Sequence, residues 1–181
     1  MNVSLVGFMG SGKTAVGKKV AEKMGFDFVD TDDLVEEGSG KKISEIFEKE
    51  GEETFRNLER TAVKKAGEMD NVVIATGGGA VLSPENLENL RKNGPVVLLK
   101  VSAEQALERV RNEKHRPLLA VADPLGKIRE LLETRQKFYE LADHQIDTEG
   151  KTPEQIADEI VHLIKSDSSA ALAASDSEAF E

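Results

Sequence analysis

The segment GFMGSGKT at residues 7–14 sets Gly7, Gly12, Lys13 and Thr14 at the spacing G-x-x-x-x-G-K-T. Each residue type has phosphate chemistry to do. The glycines let the backbone curl so that successive N–H groups point inward at phosphate oxygens. The helix that follows adds its positive N-terminal end. Lys13 reaches toward β- and γ-phosphates, and Thr14 offers a hydroxyl to magnesium. A plain glycine turn with a solvated lysine could carry the same letters. Here, however, the apolar run Val3, Leu5 and Val6 precedes the loop, and Val16, Val20 and Met24 recur every four residues after it. Strand, loop and helix in that order are the context a phosphate loop needs, so the chain is expected to bind a nucleoside triphosphate. The receiver of the phosphate is a separate question.

Three further groups bear on that receiver. VDTDD at 29–33 ends a strand-like stretch, and ligands of parallel α/β sheets bind beyond the carboxyl ends of strands. Asp30, Asp32 and Asp33 would hang there, as a magnesium shell, as a base for an attacking hydroxyl, or in one case as a helix N-cap. TGGG at 76–79 offers close backbone approach and exposed N–H donors, or merely a flexible turn. The strand before it ends in Ala75 and Thr76 rather than an aspartate, so the magnesium carboxylate must come from elsewhere, with Asp30 the best candidate. Arg56, Arg116 and Arg135 lie in TFRNLE, HRPLL and ETRQKFY. Taken singly, each reads as a solvated side chain, yet arginine is also the preferred fork for carboxylate and for transferring phosphate.

The elements that must position these groups alternate. FDFVD (26–30), VVIAT (72–76), VVLLKV (96–101) and HQIDT (144–148) read as strands beside the one ending at Val6. Helices fall between them. Ser83–Pro84 and Asp123–Pro124 are start signals, and Ser102 with Gln105 and Thr152 with Gln155 are capping boxes. Ile156, Ile160 and Ile164 stripe the last helix. The alternation predicts a parallel sheet in an α/β sandwich. Residues 31–67, with two successive helical patterns, and 112–124, with no clear period, are expected excursions above the sheet. Residues 166–181 are low in complexity and acidic, and are expected to be a disordered tail.

A chain of 181 residues suits one domain. The absence of cysteine excludes disulfides, zinc–thiolate sites and cysteine nucleophiles, and fits a reducing cytoplasm. There is no secretion-type start and no membrane-length apolar run. A net charge of −10 argues against generic nucleic-acid binding. An anionic substrate would need a locally basic pocket.

With these residues in place, the chain resembles the shikimate kinases. The likeness rests on GFMGSGKT, DTD at 30–32, GEETFRNLE at 51–59, TGGGAV at 76–81, RPLL at 116–119, TRQKFY and DT before TP at 147–153, in family order over about residues 1–165. The resemblance implies an ATP-dependent phosphotransferase with an alcohol acceptor, moving the γ-phosphoryl of MgATP to the 3-hydroxyl of shikimate. It implies a P-loop fold of the nucleoside monophosphate kinase type, with a five-stranded parallel sheet in the order 2-3-1-4-5. Residues 31–60 would bind shikimate and 112–124 would form a lid. By position, Asp32 would be the base and a substrate ligand, with Lys13 and Arg116 the other catalytic groups. Arg56 and Arg135 would grip the carboxylate beside Gly78 and Gly79. Gly10, Ser11, Gly12, Lys13, Thr14 and Ala15 would hold ATP together with Arg116, and Arg109 and Pro153 would flank the adenine. Thr14 and Asp30 would hold Mg²⁺. A monomer in the cytoplasm, with ATP and shikimate as partners and neither nucleic acid nor membrane, completes the expectation. Two rivals stand beside it. A gluconate kinase of the same fold is opposed by the combination of Arg56, TGGG and Arg135. A non-catalytic nucleotide-binding regulator is opposed by Asp32, Arg116 and Arg135.

Overall fold

A computed structural model describes residues 1–111 and 120–178, with side chains described as far as Ser169. Five strands, β1 (Val3–Val6), β2 (Asp27–Asp30), β3 (Val72–Ala75), β4 (Val96–Lys100) and β5 (His144–Asp147), form one parallel sheet in the order β2-β3-β1-β4-β5. Strands β1 and β3 are buried throughout, as central strands covered on both faces must be. Their side chains alternate between two cores. Val6, Ile74 and Leu98 face one, while Leu5, Val73 and Val97 face the other.

The second core is closed by α1 (Lys13–Met24) and α8 (Pro153–Glu178). Ile156, Ile160 and Ile164 of α8 are buried in it beside Val16 and Val20 of α1, each isoleucine contributing roughly 1.5–3 kcal/mol. The first core is closed by α4 (Gly51–Gly67), α5 (Pro84–Arg91), α6 (Ala103–Val110) and α7 (Pro124–Tyr139). Gly25 takes the left-handed conformation that stops α1, at φ 68°. Asp123 caps α7 through Gly126 N–H, and Thr152 and Gln155 form a complete capping box at α8. At α6 the box is half made. Ser102 accepts from Gln105 N–H, but the Gln105 side-chain oxygen makes no bond among the described residues.

Two expectations change. The pair of helical patterns over 31–67 is three helices, α2 (Thr31–Ser39), α3 (Ile43–Lys49) and α4. Gly40 (φ 66°) ends α2, and Gly51 (φ 87°) turns α3 into α4 without a polar linker between them. The three share a small core of Val35, Ile46, Phe55 and Ala62 above the sheet. The acidic tail is also helical as far as Glu178, as a continuation of α8. Its run of alanines at 170, 171, 173 and 174 has the highest intrinsic helix propensity, and the helix is already nucleated by its packed half. Most of the expected lid, residues 112–119 with Arg116 among them, lies outside the described residues.

Candidate active site

The phosphate loop joins β1 to α1 at the middle of the sheet. Gly12, at φ 89°, opens α1 with no side chain to cap it, so the first N–H groups of the helix face outward toward a ligand. Gly7 is required by contact: a Cβ there would sit 2.6 Å from the Leu99 carbonyl oxygen. Lys13 Nζ donates to the carbonyls of Gly7 (2.8 Å) and Phe8 (2.9 Å), folded back over the loop it is expected to serve. Buried Ser11 lies beneath, 3.4 Å from the same nitrogen. Arg109 of α6 donates to the Gly10 carbonyl at 2.8 Å and so braces the loop. Thr14 and Ala15 are exposed at the mouth. Pro153 is exposed in the first turn of α8, next to Glu154, which pairs with Lys19 and Lys23 of α1; no described contact links Pro153 to the loop.

Asp30 is the N-cap among the three aspartates, and it also reaches the phosphate loop. One carboxylate oxygen accepts Asp32 N–H and caps α2; the other accepts the Thr14 hydroxyl at 3.0 Å. Burial pushes its carboxyl above the usual range, with Lys13 too weakly coupled to offset the loss of water. A half-buried carboxylate bonded to a hydroxyl at the edge of a phosphate loop suits Mg²⁺. That ion takes one or two protein oxygens and completes its shell with water and phosphate. No cluster of three His, Cys, Asp or Glu side chains that could hold a metal exists among the described residues.

Beyond the loop lies a cavity of about 650 Å³. Asp32, Arg56, Gly78, Gly79 and Arg135 all line it, from α2, α4, the segment after β3, and α7. The glycines are there for room. A Cβ on Gly79 would meet both terminal nitrogens of Arg56 at 2.6 Å, and one on Gly77 would meet Asp32 Oδ1 at 2.9 Å and Glu59 Oε2 at 3.0 Å. Gly78 stands beside Arg135, whose NH1 is 3.5 Å from the Cβ position. The two guanidiniums therefore flank consecutive backbone units. Asp33 is exposed and turns away from this group.

The arginines differ in their surroundings. Arg56 is paired with Glu59 (2.8 Å) and Glu52 (3.3 Å) on its own helix. Arg135 is only 6% exposed, lies 5.6 Å from the centre of the Phe8 ring, and has no carboxylate partner among the described residues. Sequence reasoning missed Glu59, Gly77 and Tyr139. Glu59 is buried, with one oxygen on Arg56 and the other unbonded among the described residues. Its only signal was the i, i+3 spacing from Arg56. Tyr139 donates its hydroxyl to the Gly78 carbonyl at 2.8 Å, and burial raises its pKa, so it stays a neutral donor.

Comparison with known proteins finds one family along nearly the whole chain. A family model described as shikimate kinase matches residues 9–165. A shikimate kinase of Caldanaerobacter subterraneus subsp. tengcongensis is 56% identical over 160 residues, covering 88% of this chain and 94% of that protein. The structure of a shikimate kinase from Acinetobacter baumannii in complex with shikimate superposes with a TM-score of 0.88 at 41% identity, over 92% of this chain and 93% of that one. A gluconokinase from Sinorhizobium meliloti, 18% identical with a TM-score of 0.60 over 91% of this chain and 94% of its own, shares the fold alone. A phosphate loop facing a pocket with two arginines, together with a family match from Met9 to Lys165 and more than half identity to a full-length relative, leads to one conclusion: the chain belongs to the shikimate kinase family.

Proposed function

We propose that the chain transfers the γ-phosphoryl group of MgATP to the 3-hydroxyl of shikimate, giving shikimate 3-phosphate and ADP for chorismate and aromatic amino acid synthesis. The observation that carries the reading is Arg135: a buried guanidinium, without a carboxylate partner among the described residues, facing the cavity that Asp32 and Arg56 also line. An isolated buried charge is costly, and a bound anion relieves that cost. Shikimate brings one carboxylate for the two arginines and three hydroxyls for Asp32 and the backbone.

In this reading Asp32 orients the acceptor hydroxyl and takes its proton. Lys13 leaves its carbonyl partners for the phosphates, and Arg116 adds positive charge from the expected lid over 112–124. Thr14 and Asp30 would hold Mg²⁺, which when bound offsets the negative charge of the phosphates. Gly10, Ser11, Gly12, Thr14 and Ala15 carry the backbone and hydroxyl contacts to ATP, with Arg109 and Pro153 beside the base. Residues 31–60 serve as the acceptor-binding region. The absence of cysteine supports a monomer working in a reducing cytoplasm, and the net charge of −10 argues against nucleic acid; the anionic substrate is drawn by the locally basic pocket that Arg56 and Arg135 make. No described helix is long and apolar enough to cross a membrane.

The test is ADP release from MgATP with shikimate, with gluconate and with neither. Release dependent on shikimate is expected. Release with gluconate alone, or none with either, would overturn the proposal.

The glycine contacts make a sharper forecast. Gly79 has φ −100°, so alanine suits its backbone, but the new methyl would displace the Arg56 guanidinium. Gly79→Ala should raise the Michaelis constant for shikimate at least about tenfold through lost charge-assisted bonds, with a loss of stability no greater than that of removing Arg56, because a displaced guanidinium also loosens its pair with Glu59. Equal loss of affinity for both substrates would show that the methyl disturbs more than Arg56.

A further inference from the structure

We infer that Tyr139 is a positioning residue for the acceptor site: its hydroxyl holds the Gly78 carbonyl, and with it the glycine segment beside the Arg135 guanidinium, where the substrate carboxylate docks. The inference rests on the function proposed above. Tyr139 lies one turn after Arg135 on α7, so the two side chains share a face of the helix. The Tyr139 hydroxyl donates to the Gly78 oxygen at 2.8 Å, across 61 positions of chain. The Arg135 guanidinium lies against the same glycine, with NH1 3.5 Å from the position a Cβ on Gly78 would take. A carbonyl only accepts, so the phenol must donate to Gly78 and keeps its lone pairs toward the guanidinium side of the site.

The glycine segment needs such a tie. Gly77 and Gly79 give their carbonyls to Ala80 N–H and Leu82 N–H, both at 3.1 Å, in the short turn that follows. The carbonyl between them, on Gly78, is held by Tyr139. The ring is buried in the first core but is not enclosed on every side. Tyr139 also lines a second cavity of about 360 Å³, with Phe8, Leu98, Leu132 and Gln136 around it. With space on that side, the hydroxyl bond to Gly78 holds the ring against the glycine segment. A tyrosine serving only as core filler would need its ring and not its oxygen.

Tyr139→Phe keeps the ring and removes the oxygen. The Michaelis constant for shikimate is expected to rise on the order of tenfold, with that for MgATP and the melting temperature unchanged. Tyr139 is the only tyrosine and the chain has no tryptophan, so the near-ultraviolet spectrum of the unmutated protein reports this one phenol. Shikimate should perturb that spectrum, and MgATP alone should not. An unchanged shikimate constant in the variant, or equal losses for both substrates, would overturn the inference. If the variant does not fold, the spectrum decides, and a phenol band indifferent to shikimate would overturn it. Absence of shikimate-dependent turnover in the unmutated protein would instead defeat the underlying reading of function.

Discussion

Asp32→Asn is expected to lower turnover by about 10²–10⁴-fold, which is roughly 3–5 kcal/mol of transition-state stabilisation, and to leave MgATP affinity nearly intact. Asparagine keeps the shape of the side chain and removes its basicity. The neighbouring architecture should survive, because it is the backbone N–H of residue 32, not its side chain, that bonds Asp30. Asp30 would thus keep both its cap on α2 and its bond to Thr14. The phosphate loop is braced independently by Lys13 and Arg109. Steady-state kinetics with a nucleotide titration on the same preparation separates the two effects. Near-normal turnover would remove Asp32 as the base and leave it a substrate ligand only.

The same residues indicate what a linear chain can reveal. Glycine spacing, strand–helix alternation and cap residues are local signals, and they give a parallel α/β sandwich; the sheet order came with the family resemblance and is the order observed. Asp32, Arg56 and Arg135 were legible through the family resemblance, since taken singly an arginine reads as solvated and an aspartate as a cap; the fold lines one cavity with all three. Glu59 was not. On an amphipathic helix a glutamate reads as solvated, and only the fold shows it buried against Arg56 and Gly77. The bond from Tyr139 to Gly78 joins elements far apart in sequence, and no local pattern encodes it. The break between α3 and α4 was hidden because it needs only the turn at Glu50 and Gly51 rather than a polar linker. The tail misled for a related reason. Its serines and aspartates read as solvated chain, yet alanines between them extend a helix that the core has already started.

Arg135→Ala and Arg56→Ala should weaken shikimate alike and affect stability differently. Each removes charge-assisted hydrogen bonds worth about 1.5–3 kcal/mol, so the shikimate Michaelis constant should rise roughly ten- to hundredfold in either variant while that for MgATP holds. For the fold, what matters is what each arginine leaves behind. Arg135 abandons no carboxylate among the described residues; it gives up a contact with the Phe8 ring and relieves a buried charge. Its removal should leave stability within about 1 kcal/mol, or raise it. Arg56 abandons Glu59, a carboxylate with 2% of its side chain exposed whose second oxygen already lacks a partner among the described residues. Stranding that charge should cost about 1–3 kcal/mol, below the figure for a fully buried pair because Arg56 keeps 23% of its side chain in water. Arg56→Ala combined with Glu59→Gln should then recover most of the stability without recovering shikimate affinity. Thermal melts and Michaelis constants on the four proteins test this directly. Equal destabilisation by both single changes would mean that Arg135 is held by the fold as firmly as Arg56, and that it is not a charge kept in reserve for the substrate.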